Sequence, residues 1–360
     1  MRIVNIIPSY HPYPKGGSAY SQYRLNNNLS DSNYVQVFSY NKKKKYQLSK
    51  NHEVNFGNLI SFIFSKKIYN SIREADVVLV SSFFFSLNIL VFFLCKVFRK
   101  PIIISPRGEF FESAIQRKKK IKLLFRKLLI SMASDNLSFH ATSIPEKKII
   151  ESNLIKENFN VYIIPNSIKP SIPLNLNKKN QILFIGRINP IKNIECIIKV
   201  IPYCNCNLVI LGTAKDRYEI SYKKTLVSLI EKLEISEKVT FLGHIEGNEK
   251  NKIISESKAL ILPSKSENFG NVVIESLLEG TPVIASKGTP WEELDENRCG
   301  FHIDTSNSSL LISKIKEIIN SDEICNKYYF NSIKYSKKFH HDKIIVKWEE
   351  LLRNRISYHG

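Results

Sequence analysis

The feature that most constrains the fold of this chain is an alternation of short apolar runs with helical patterns, which occurs twice. The predicted strands of the first copy are residues 3–7, 34–39, 77–81, 102–105 and 140–143, and those of the second are 181–185, 207–211, 239–242, 259–262 and 282–285. One of the helical patterns of the second copy covers residues 226–233. Because parallel strands need helical crossovers between them, this alternation predicts doubly wound parallel sheets. At 360 residues, the chain is also long for one ordinary core. We therefore predict an α/β protein with two Rossmann-like domains.

A segment rich in proline and polar residues, 165–173, separates the two copies and is typical of an interdomain linker. The predicted domains are residues 1–168 and 174–340. Residues 343–356 are amphipathic and include Trp348, so we expect a C-terminal helix within 343–360 to cross the linker and complete the first domain. Ligands of open α/β sheets bind outside the carboxyl ends of the strands. Two such sheets facing one another would bring their loops to a central cleft.

The longest apolar stretch is residues 83–98, which Ser86, Asn88 and Lys96 interrupt. It is shorter than the roughly 20 residues of a membrane-spanning helix, and we interpret it as a buried helix. The first residues run into a strand pattern without the apolar core of a signal peptide. The six cysteines lack the spacing of a disulfide framework or a zinc site. We therefore expect a cytoplasmic protein with reduced thiols.

The net charge of +20 suggests an anionic partner, which could be nucleic acid, a phosphorylated small molecule or an acidic membrane surface. Residues 117–130 form a basic amphipathic stretch. Such a stretch can rest on an anionic membrane, or it can be a helix with one core face and solvated lysines. The sequence leaves both interpretations open.

Residues 263–285 carry the most specific pattern for a ligand site. An apolar run is followed by a polar loop with Glu267, then by Phe269 and Gly270, and then by a helical pattern that includes Glu275 and ends at Gly280. A helix N-terminus after a strand suits a phosphate group, because its backbone N–H groups and its dipole attract an anion. We predict that Glu275 accepts hydrogen bonds from sugar hydroxyls.

Other polar loops also follow predicted strands. Gly16 and Gly17 precede a helix and could bring backbone N–H groups close to a phosphate. Gly186 allows a sharp turn before Arg187 and Lys192, a fork and a point charge that together could clamp a diphosphate. Gly212 is predicted to be one more close backbone approach.

A Pro-Arg-Gly loop could present Arg107 to a ligand, with Glu109 as its partner or as a separate polar contact. A surface turn with a salt bridge is the alternative. His140 is interpreted as a core or edge histidine. The chain has no Asp-x-Asp pair and no nucleophile motif, so the sequence suggests neither a bridging metal nor a covalent nucleophile.

Taken together, these loops resemble the GT-B glycosyltransferases of the large retaining group called family 4. The matching pieces run in the family's order: Gly16-Gly17, residues 105–108, 142–146, 164–168, Gly186-Arg187 with Lys192, and Glu267-x7-Glu275. The resemblance implies transfer of a sugar from a nucleotide diphosphate donor, UDP- or GDP-linked, to an acceptor hydroxyl with retention and without a metal or cofactor. The departing phosphate could itself take the acceptor's proton.

The resemblance also implies roles for individual residues. Arg187 and Lys192 would hold the diphosphate, Glu267 would lie against the donor sugar, and Glu275 would bind the ribose. Arg107 stands where many relatives carry a histidine near the donor sugar, and it completes the predicted catalytic group. The remaining residues predicted to bind the donor are Gly16, Gly17, Gly212, Phe269, Gly270, Asn271 and Val272.

Similar bacterial enzymes often build surface polysaccharide such as O-antigen, lipopolysaccharide or capsule. We therefore expect a saccharide or lipid-linked saccharide acceptor, peripheral contact with the inner face of the plasma membrane, and no nucleic acid. A nucleotide-sugar 2-epimerase of the same fold is the alternative enzyme. A basic membrane- or nucleic-acid-binding protein without catalysis is the third interpretation, and it would bind in a strongly salt-dependent way.

Overall fold

The chain divides into two compact units in the computed structural model, which describes residues 1–10, 17–40, 51–116, 119–133, 136–154, 159–173 and 177–357. Unit 1 comprises residues 1–167 and 341–360, and unit 2 comprises residues 168–340. Each unit contains one parallel sheet. The predicted α/β class with doubly wound parallel sheets is confirmed.

Unit 1 is built on a seven-stranded parallel sheet in the order β3-β2-β1-β4-β5-β6-β7. Its strands are β1 (Arg2–Ile7), β2 (Tyr34–Ser39), β3 (His52–Phe56), β4 (Val77–Val80), β5 (Ile102–Ile104), β6 (Leu137–Ala141) and β7 (Asn160–Ile163). Its helices before residue 168 are α1 (Gly17–Leu29), α2 (Leu59–Ile63), α3 (Lys66–Glu74), α4 (Asn88–Val97), α5 (Glu112–Ile115), α6 (Lys119–Met132) and α7 (Ile144–Asn153). Every residue of β4 is buried, as expected of a central parallel strand with both faces covered.

Unit 2 is built on a six-stranded parallel sheet in the order β10-β9-β8-β11-β12-β13. Its strands are β8 (Lys179–Ile185), β9 (Asn207–Leu211), β10 (Val239–Gly243), β11 (Ser257–Leu262), β12 (Val283–Ser286) and β13 (Gly300–Ile303). Its helices are α8 (Ile194–Val200), α9 (Arg217–Lys232), α10 (Gly247–Glu256), α11 (Asn271–Leu278), α12 (Glu293–Glu296), α13 (Ser308–Ile319) and α14 (Asp322–Ser336). Apolar side chains cover both faces of this sheet.

The last helix, α15 (His341–Ser357), packs in unit 1 although the chain reaches it from unit 2. Trp348 is buried there, and its ring lies 4.4 Å from the ring of His140, centroid to centroid. Ile344, Leu351 and Leu352 join the same cluster as the apolar side chains of β1 and β2. The amphipathic pattern at residues 343–356 therefore corresponds to a helix whose apolar face completes one core of unit 1.

Three predictions from the sequence need correction. The stretch 83–98 is not a fully buried helix, because α4 exposes Ile89, Phe93 and Val97. The strand predicted at 140–143 is β6, which begins three residues earlier and ends at Ala141. The helix predicted at 226–233 is α9, which begins at Arg217.

Candidate donor site at the loop edge of unit 2

The predicted site residues of unit 2 follow strands whose carboxyl ends lie on one edge of the sheet. The chain runs from β8 outward to β9 and β10, and then from β11 outward to β12 and β13 on the other side. The strand order therefore reverses between β8 and β11, and ligands of open α/β sheets bind at such a reversal. Arg187 and Lys192 follow β8, and the residues from Glu267 to Gly270 follow β11.

The loop after β8 has a defined conformation. Asn189 accepts a hydrogen bond from the Ile191 N–H and caps a short 3-10 helix, Pro190–Lys192. The loop is joined to the one after β11 by the Lys265 N–H, which donates to the Ile191 carbonyl at 2.8 Å. Lys192 forms an ion pair with Glu267, and both side chains are more than four-fifths buried. The two loops of the strand-order reversal are thus connected through backbone and side chains.

Glu267 is fixed from several directions. Its N–H donates to the Gly288 carbonyl at 3.0 Å, and its carboxylate accepts from Ser264 Oγ at 3.3 Å in addition to Lys192. Gly288 is required at this place, because a Cβ there would lie 2.4 Å from the Lys265 carbonyl oxygen. The loop after β12 therefore holds the backbone of Glu267, a contribution that the sequence did not reveal.

Gly270 is the N-cap of α11 and lies in the left-handed region, with φ of 80°. This conformation favours glycine, and a Cβ would meet the Cγ of Glu267 at 3.2 Å. Its neighbour Phe269 has a buried ring that packs against Trp291, so only its backbone is placed to approach a ligand. Trp291 Nε1 donates to the Phe269 carbonyl. The turn thus aims the N-terminal end of α11 toward Glu267 and the loop edge of the sheet.

Farther along α11, Glu275 pairs with Lys250 of α10 at 2.6 Å. Asn271 and Val272 occupy the first turn of the helix, where Val272 packs against the core. The sequence did not single out Lys250. It supplies the positive partner of the Glu275 carboxylate, and both side chains are about four-fifths buried.

Arg187 has a different environment from Lys192, because 64% of its side chain is exposed. Its guanidinium lies 3.5 Å from Glu219, which is itself 2% exposed. Glu219 also accepts from the Lys215 N–H at 2.8 Å and from Asn189 Nδ2 at 3.3 Å. One buried carboxylate therefore ties together the loops that follow β8 and β9.

Glu219 lies outside the helix predicted at residues 226–233, because α9 begins nine residues earlier, at Arg217. Asp216 caps this helix and accepts from the Glu219 N–H at 2.8 Å. An acidic N-cap followed three residues later by glutamate is a known start signal for a helix. That spacing, read at residues 216–219, identifies both the helix start and the carboxylate.

Gly212 lies close to the backbone of the protein itself, and its predicted approach to the donor stays a prediction. A Cβ at this position would lie 1.9 Å from the Gly186 carbonyl oxygen. Its N–H donates to the Gly243 carbonyl at 2.7 Å. The glycine thus allows the loops after β8, β9 and β10 to lie against one another.

In unit 1, Arg107 adopts a left-handed conformation with φ of 53°. Its Nη1 donates to Ser21 Oγ at 3.1 Å and to Asn166 Oδ1 at 2.9 Å. Gln22, with its amide oxygen turned toward the guanidinium, accepts from Arg107 as well. Burial lowers the pKa of Arg107 to about 10, although the nearby negative charge of Glu146 raises it in part. The guanidinium therefore links α1 to the loops that follow β5 and β7.

Glu109 is a separate polar contact and does not pair with Arg107. It accepts hydrogen bonds from Ser82 Oγ and from the N–H groups of Phe83 and Phe84. Burial raises the pKa of this carboxyl, while these hydrogen bonds oppose the rise. Glu109 therefore fixes the turn after β4.

Glu146 and His140 lie in the same part of unit 1 and are almost fully buried. Glu146 accepts from the Gly108 N–H at 2.8 Å and from both the N–H and the hydroxyl of Thr142 at 2.7 Å. His140 makes 2.8 Å hydrogen bonds with Ser105 Oγ and the Ile164 carbonyl, and burial lowers its pKa to about 3. The prediction of a core histidine is confirmed.

Only one glycine of the pair after β1 lies within the described residues. Gly17 begins α1, whereas Gly16 lies outside the described residues. In the described part of the chain, no three histidine, cysteine, aspartate or glutamate side chains group as metal ligands. The absence of a metal from the reaction remains a prediction.

No helix among the described residues has the length and apolar character needed to cross a membrane.

Residues 167–335 match the family model described as glycosyl transferases group 1. An uncharacterized glycosyltransferase of Methanocaldococcus jannaschii is 28% identical over 58% of this chain and 59% of its own length. The O-antigen chain mannosyltransferase RfbU of Salmonella typhimurium is 30% identical over 49% of both chains. The matched segments thus span about half the length of these curated relatives.

The fold is similar to that of a solved structure of Anabaena Alr3699/HepE in complex with UDP. The TM-score is 0.78, with 17% identity, over 98% of this chain and 100% of the other. At this identity the likeness establishes the fold alone. Residues 167–335 are therefore similar to the glycosyl transferases group 1 family, and the chain has the fold of the GT-B glycosyltransferases.

Proposed function

We propose that this protein is a retaining glycosyltransferase that moves a sugar from a nucleotide diphosphate to a hydroxyl of a saccharide acceptor. The observation that carries the proposal is the ion pair between Lys192 and Glu267 at the strand-order reversal of unit 2. It joins a cation suited to a diphosphate and a carboxylate suited to a sugar in one place. The segment that matches the family model includes both residues.

The proposed donor site uses each charge at this edge. Arg187 and Lys192 bind the diphosphate, and the N-terminal end of α11 adds its dipole. Glu267 and Gly270 lie against the donor sugar, and Glu275 accepts hydrogen bonds from the ribose hydroxyls. UDP complexes of the structurally similar Anabaena protein support a nucleotide-sugar donor.

In the proposed reaction, the bond between the anomeric carbon and the diphosphate oxygen breaks as the acceptor oxygen bonds to the same carbon. The acceptor's hydroxyl proton passes to the departing diphosphate, so the protein supplies no separate base. Negative charge grows on the diphosphate during this step, and preorganised cations at Arg187 and Lys192 stabilise it. No metal is required for that stabilisation.

We propose that Arg107 acts by positioning. Its contacts with Ser21 and Asn166 hold the loop after β5 in place, and it stands where many enzymes of the resembled group carry a histidine. Arg107→Met should therefore lower kcat and leave the KM for the donor unchanged. Arg107→Lys, which keeps the positive charge, should retain part of the activity that Arg107→Met loses.

The acceptor in this proposal is a lipid-linked saccharide of a surface polysaccharide, made at the cytoplasmic face of the membrane. The support is the similarity to the O-antigen chain mannosyltransferase RfbU of Salmonella typhimurium, which covers about half of either chain.

The first test is a thermal-shift series with UDP, GDP and ADP and with their sugar conjugates. A ligand that binds only the folded protein raises its stability by mass action, so one base should raise the Tm and the others should not. If no nucleotide changes the Tm, the donor site is refuted.

A second experiment separates transfer from epimerisation. Incubation with the donor that binds, in the absence of an acceptor, should leave its sugar configuration unchanged. Conversion of that donor to an epimer would replace the transferase proposal by the 2-epimerase alternative.

A further inference from the structure

Lys250 and Glu275 form an ion pair between two neighbouring helices of unit 2. Lys250 lies in the first turn of α10, and its Nζ is 2.6 Å from Glu275 Oε2 on α11. α10 follows the edge strand β10 and packs against β8, β11 and α11, so it returns the chain to the strand-order reversal. A cation from 25 residues earlier in the chain thus lies beside the carboxylate that is proposed to bind the ribose.

The pair is mostly removed from solvent, because the side chain of Lys250 is 20% exposed and that of Glu275 is 17% exposed. Ile253, one turn after Lys250 on α10, and Val272, one turn before Glu275 on α11, pack against the same apolar core. Burying a carboxylate in such surroundings is costly unless a cation accompanies it. Lys250 therefore compensates the charge of Glu275 at this place.

The pair uses only one of the two carboxylate oxygens of Glu275. Oε2 accepts from Lys250, whereas no group in the described part of the chain donates to Oε1, which retains contact with solvent. A carboxylate that a cation holds in place is preorganised to accept hydroxyl donors on its second oxygen. Glu275 also lies four residues into α11, about 6 Å along the axis from the end that is proposed to meet the phosphates.

We propose that Lys250 is a positioning residue that makes the donor site selective for ribose over deoxyribose. It holds Oε2 of Glu275, so that Oε1 accepts hydrogen bonds from the ribose hydroxyls of a nucleoside diphosphate. Without this partner, the flexible glutamate side chain would lose conformational freedom when the ligand binds, which weakens binding. The inference rests on the proposed donor site and narrows its substrate class to ribonucleotides.

Isothermal titration of the full chain with three ligands tests this role. The ligands are the nucleoside diphosphate identified by thermal shift, its 2′,3′-dideoxy counterpart and inorganic pyrophosphate. The wild-type protein should bind the ribonucleotide about 10- to 100-fold more tightly than the dideoxynucleotide, since hydrogen bonds to a charged acceptor are among the stronger ones. Lys250→Met should lower this ratio below about threefold and leave the affinity for pyrophosphate within about twofold.

Two outcomes would overturn the proposal. A ratio that Lys250→Met leaves unchanged would show that Glu275 binds ribose without help from Lys250. Equal weakening of all three ligands would show that Lys250 either contacts the phosphates or serves the fold alone.

Two further variants of α10 serve as controls. Lys250→Arg keeps a cation beside Glu275 and should retain most of the preference for ribose. Lys252→Met removes the same charge from an exposed position on the same helix and should leave all three affinities unchanged. If Lys250→Arg loses the preference as fully as Lys250→Met, the positive charge is not what positions Glu275.

Steady-state transfer separates a ribose contact from a catalytic one. Lys250→Met should raise the KM for the donor and leave kcat nearly unchanged, because the ribose is bound equally in the ground state and the transition state. A fall in kcat with an unchanged KM would place Lys250 in the chemical step and would overturn the positioning role.

A double variant tests whether Lys250 acts through Glu275. Lys250→Met added to Glu275→Ala should cause no further loss of affinity for the ribonucleotide, and a further loss would mean that Lys250 contacts the ligand itself. Neither charge of the pair is left unpaired in the double variant, so this comparison also holds if Lys250→Met alone unfolds. A wild-type protein that binds no nucleoside diphosphate would refute the donor site as a whole, whereas binding without a preference for ribose would refute this inference alone.

Discussion

The loop edges of the two sheets place charged side chains at the ends of parallel strands, but they use these charges differently. In unit 2, Lys192 pairs with Glu267 and Lys250 pairs with Glu275, and Arg187 is mostly exposed. In unit 1, Glu146 is nearly fully buried and accepts three hydrogen bonds, and Arg107 is bonded to two other segments.

The charged side chains of the two units therefore differ in whether they can bind a ligand or are already fully hydrogen-bonded within the fold. A carboxylate that pairs with one cation can exchange this partner for a ligand group that supplies a new hydrogen bond. A carboxylate that satisfies three buried donors cannot do so without leaving them unpaired. We therefore expect substitutions of the Lys192–Glu267 and Lys250–Glu275 pairs to change donor binding and transfer, and substitution of Glu146 to change stability.

The largest effect should come from Lys192→Ala. Removing this cation deprives the leaving diphosphate of a preorganised charge, and kcat/KM for transfer should fall by about 10²- to 10³-fold. The melting temperature should fall as well, because the mostly buried Glu267 carboxylate loses its cation. Steady-state transfer with the donor identified by thermal shift gives the rate.

Lys199→Ala is the matched control, because Lys199 is exposed on the neighbouring helix α8 and loses the same charge. Its transfer rate should equal that of the wild type. A Lys192→Ala protein that transfers sugar at the normal rate would remove the loop edge of unit 2 from the reaction.

In unit 1 the sharpest test is Glu146→Ala. The substitution leaves the Gly108 N–H and both donors of Thr142 without their acceptor, and the free energy of unfolding should fall by about 3–5 kcal/mol. Glu151→Ala on the same helix removes an exposed carboxylate and should cost less than about 0.5 kcal/mol. Equal losses in the two variants, measured by denaturant unfolding, would contradict the comparison.

Much of the sheet architecture could be predicted from the sequence, because its central strands are uniform apolar runs. β2 and β9 have the predicted bounds, since polar or turn residues flank each run on both sides. β3 and β7 escaped prediction. Each is an edge strand with mixed polar residues and partly exposed side chains, so neither shows the pattern of a buried strand.

The residues of the candidate site were likewise only partly predictable from the sequence. Arg187, Lys192, Glu267 and Glu275 could be identified because glycines and strand ends mark their positions. Their partners could not, since Glu219 and Lys250 lie 32 and 25 residues away from the side chains they meet. The exposed apolar side chains of α4 could not be predicted for a related reason: an apolar run does not show which face of the helix is exposed to solvent.

Acid should weaken unit 1 through its buried histidines. Burial lowers the pKa of His140 to about 3, with Arg107 adding to the effect, and that of His52 to about 4. Both values lie below the unfolded value of about 6.5, so their stabilising contribution is complete above pH 6.5 and is lost as the pH falls below it. Between pH 7.5 and 5.5, unit 1 should lose about 2–3 kcal/mol from the two groups together.

The two tryptophans allow the units to be followed separately, since Trp348 lies beside His140 in unit 1 and Trp291 lies in unit 2. With 5-fluorotryptophan incorporated, urea titrations followed by the ¹⁹F signal of Trp348 at pH 7.5 and pH 5.5 should measure this loss in the free energy of unfolding of unit 1. His140→Asn should reduce the pH dependence by about half. An unchanged slope in this variant would show that His140 does not titrate on unfolding.

The smallest predicted effect concerns Glu219, which belongs to unit 2 but is buried like the carboxylates of unit 1. Glu219→Gln keeps an oxygen for the Lys215 N–H and should leave the affinity for the nucleoside diphosphate within about threefold, since the contact with exposed Arg187 contributes little. Glu219→Ala removes the acceptor from the loop after β9, and the Kd should rise about tenfold. Glu231→Ala, an exposed position on the same helix, should change nothing.

Isothermal titration with the diphosphate that gives the thermal shift measures all three variants of α9. A glutamine variant as weak as the alanine variant would mean that the negative charge opposite Arg187 is what matters. Glu219 would then function like Glu267, as an ion-pair partner within reach of the ligand. If only Glu219→Ala weakens binding, the carboxylate acts by holding the backbone of residues 212–216. Burial of a charged side chain, and not the unit to which it belongs, would then distinguish structural charges from ligand-binding charges.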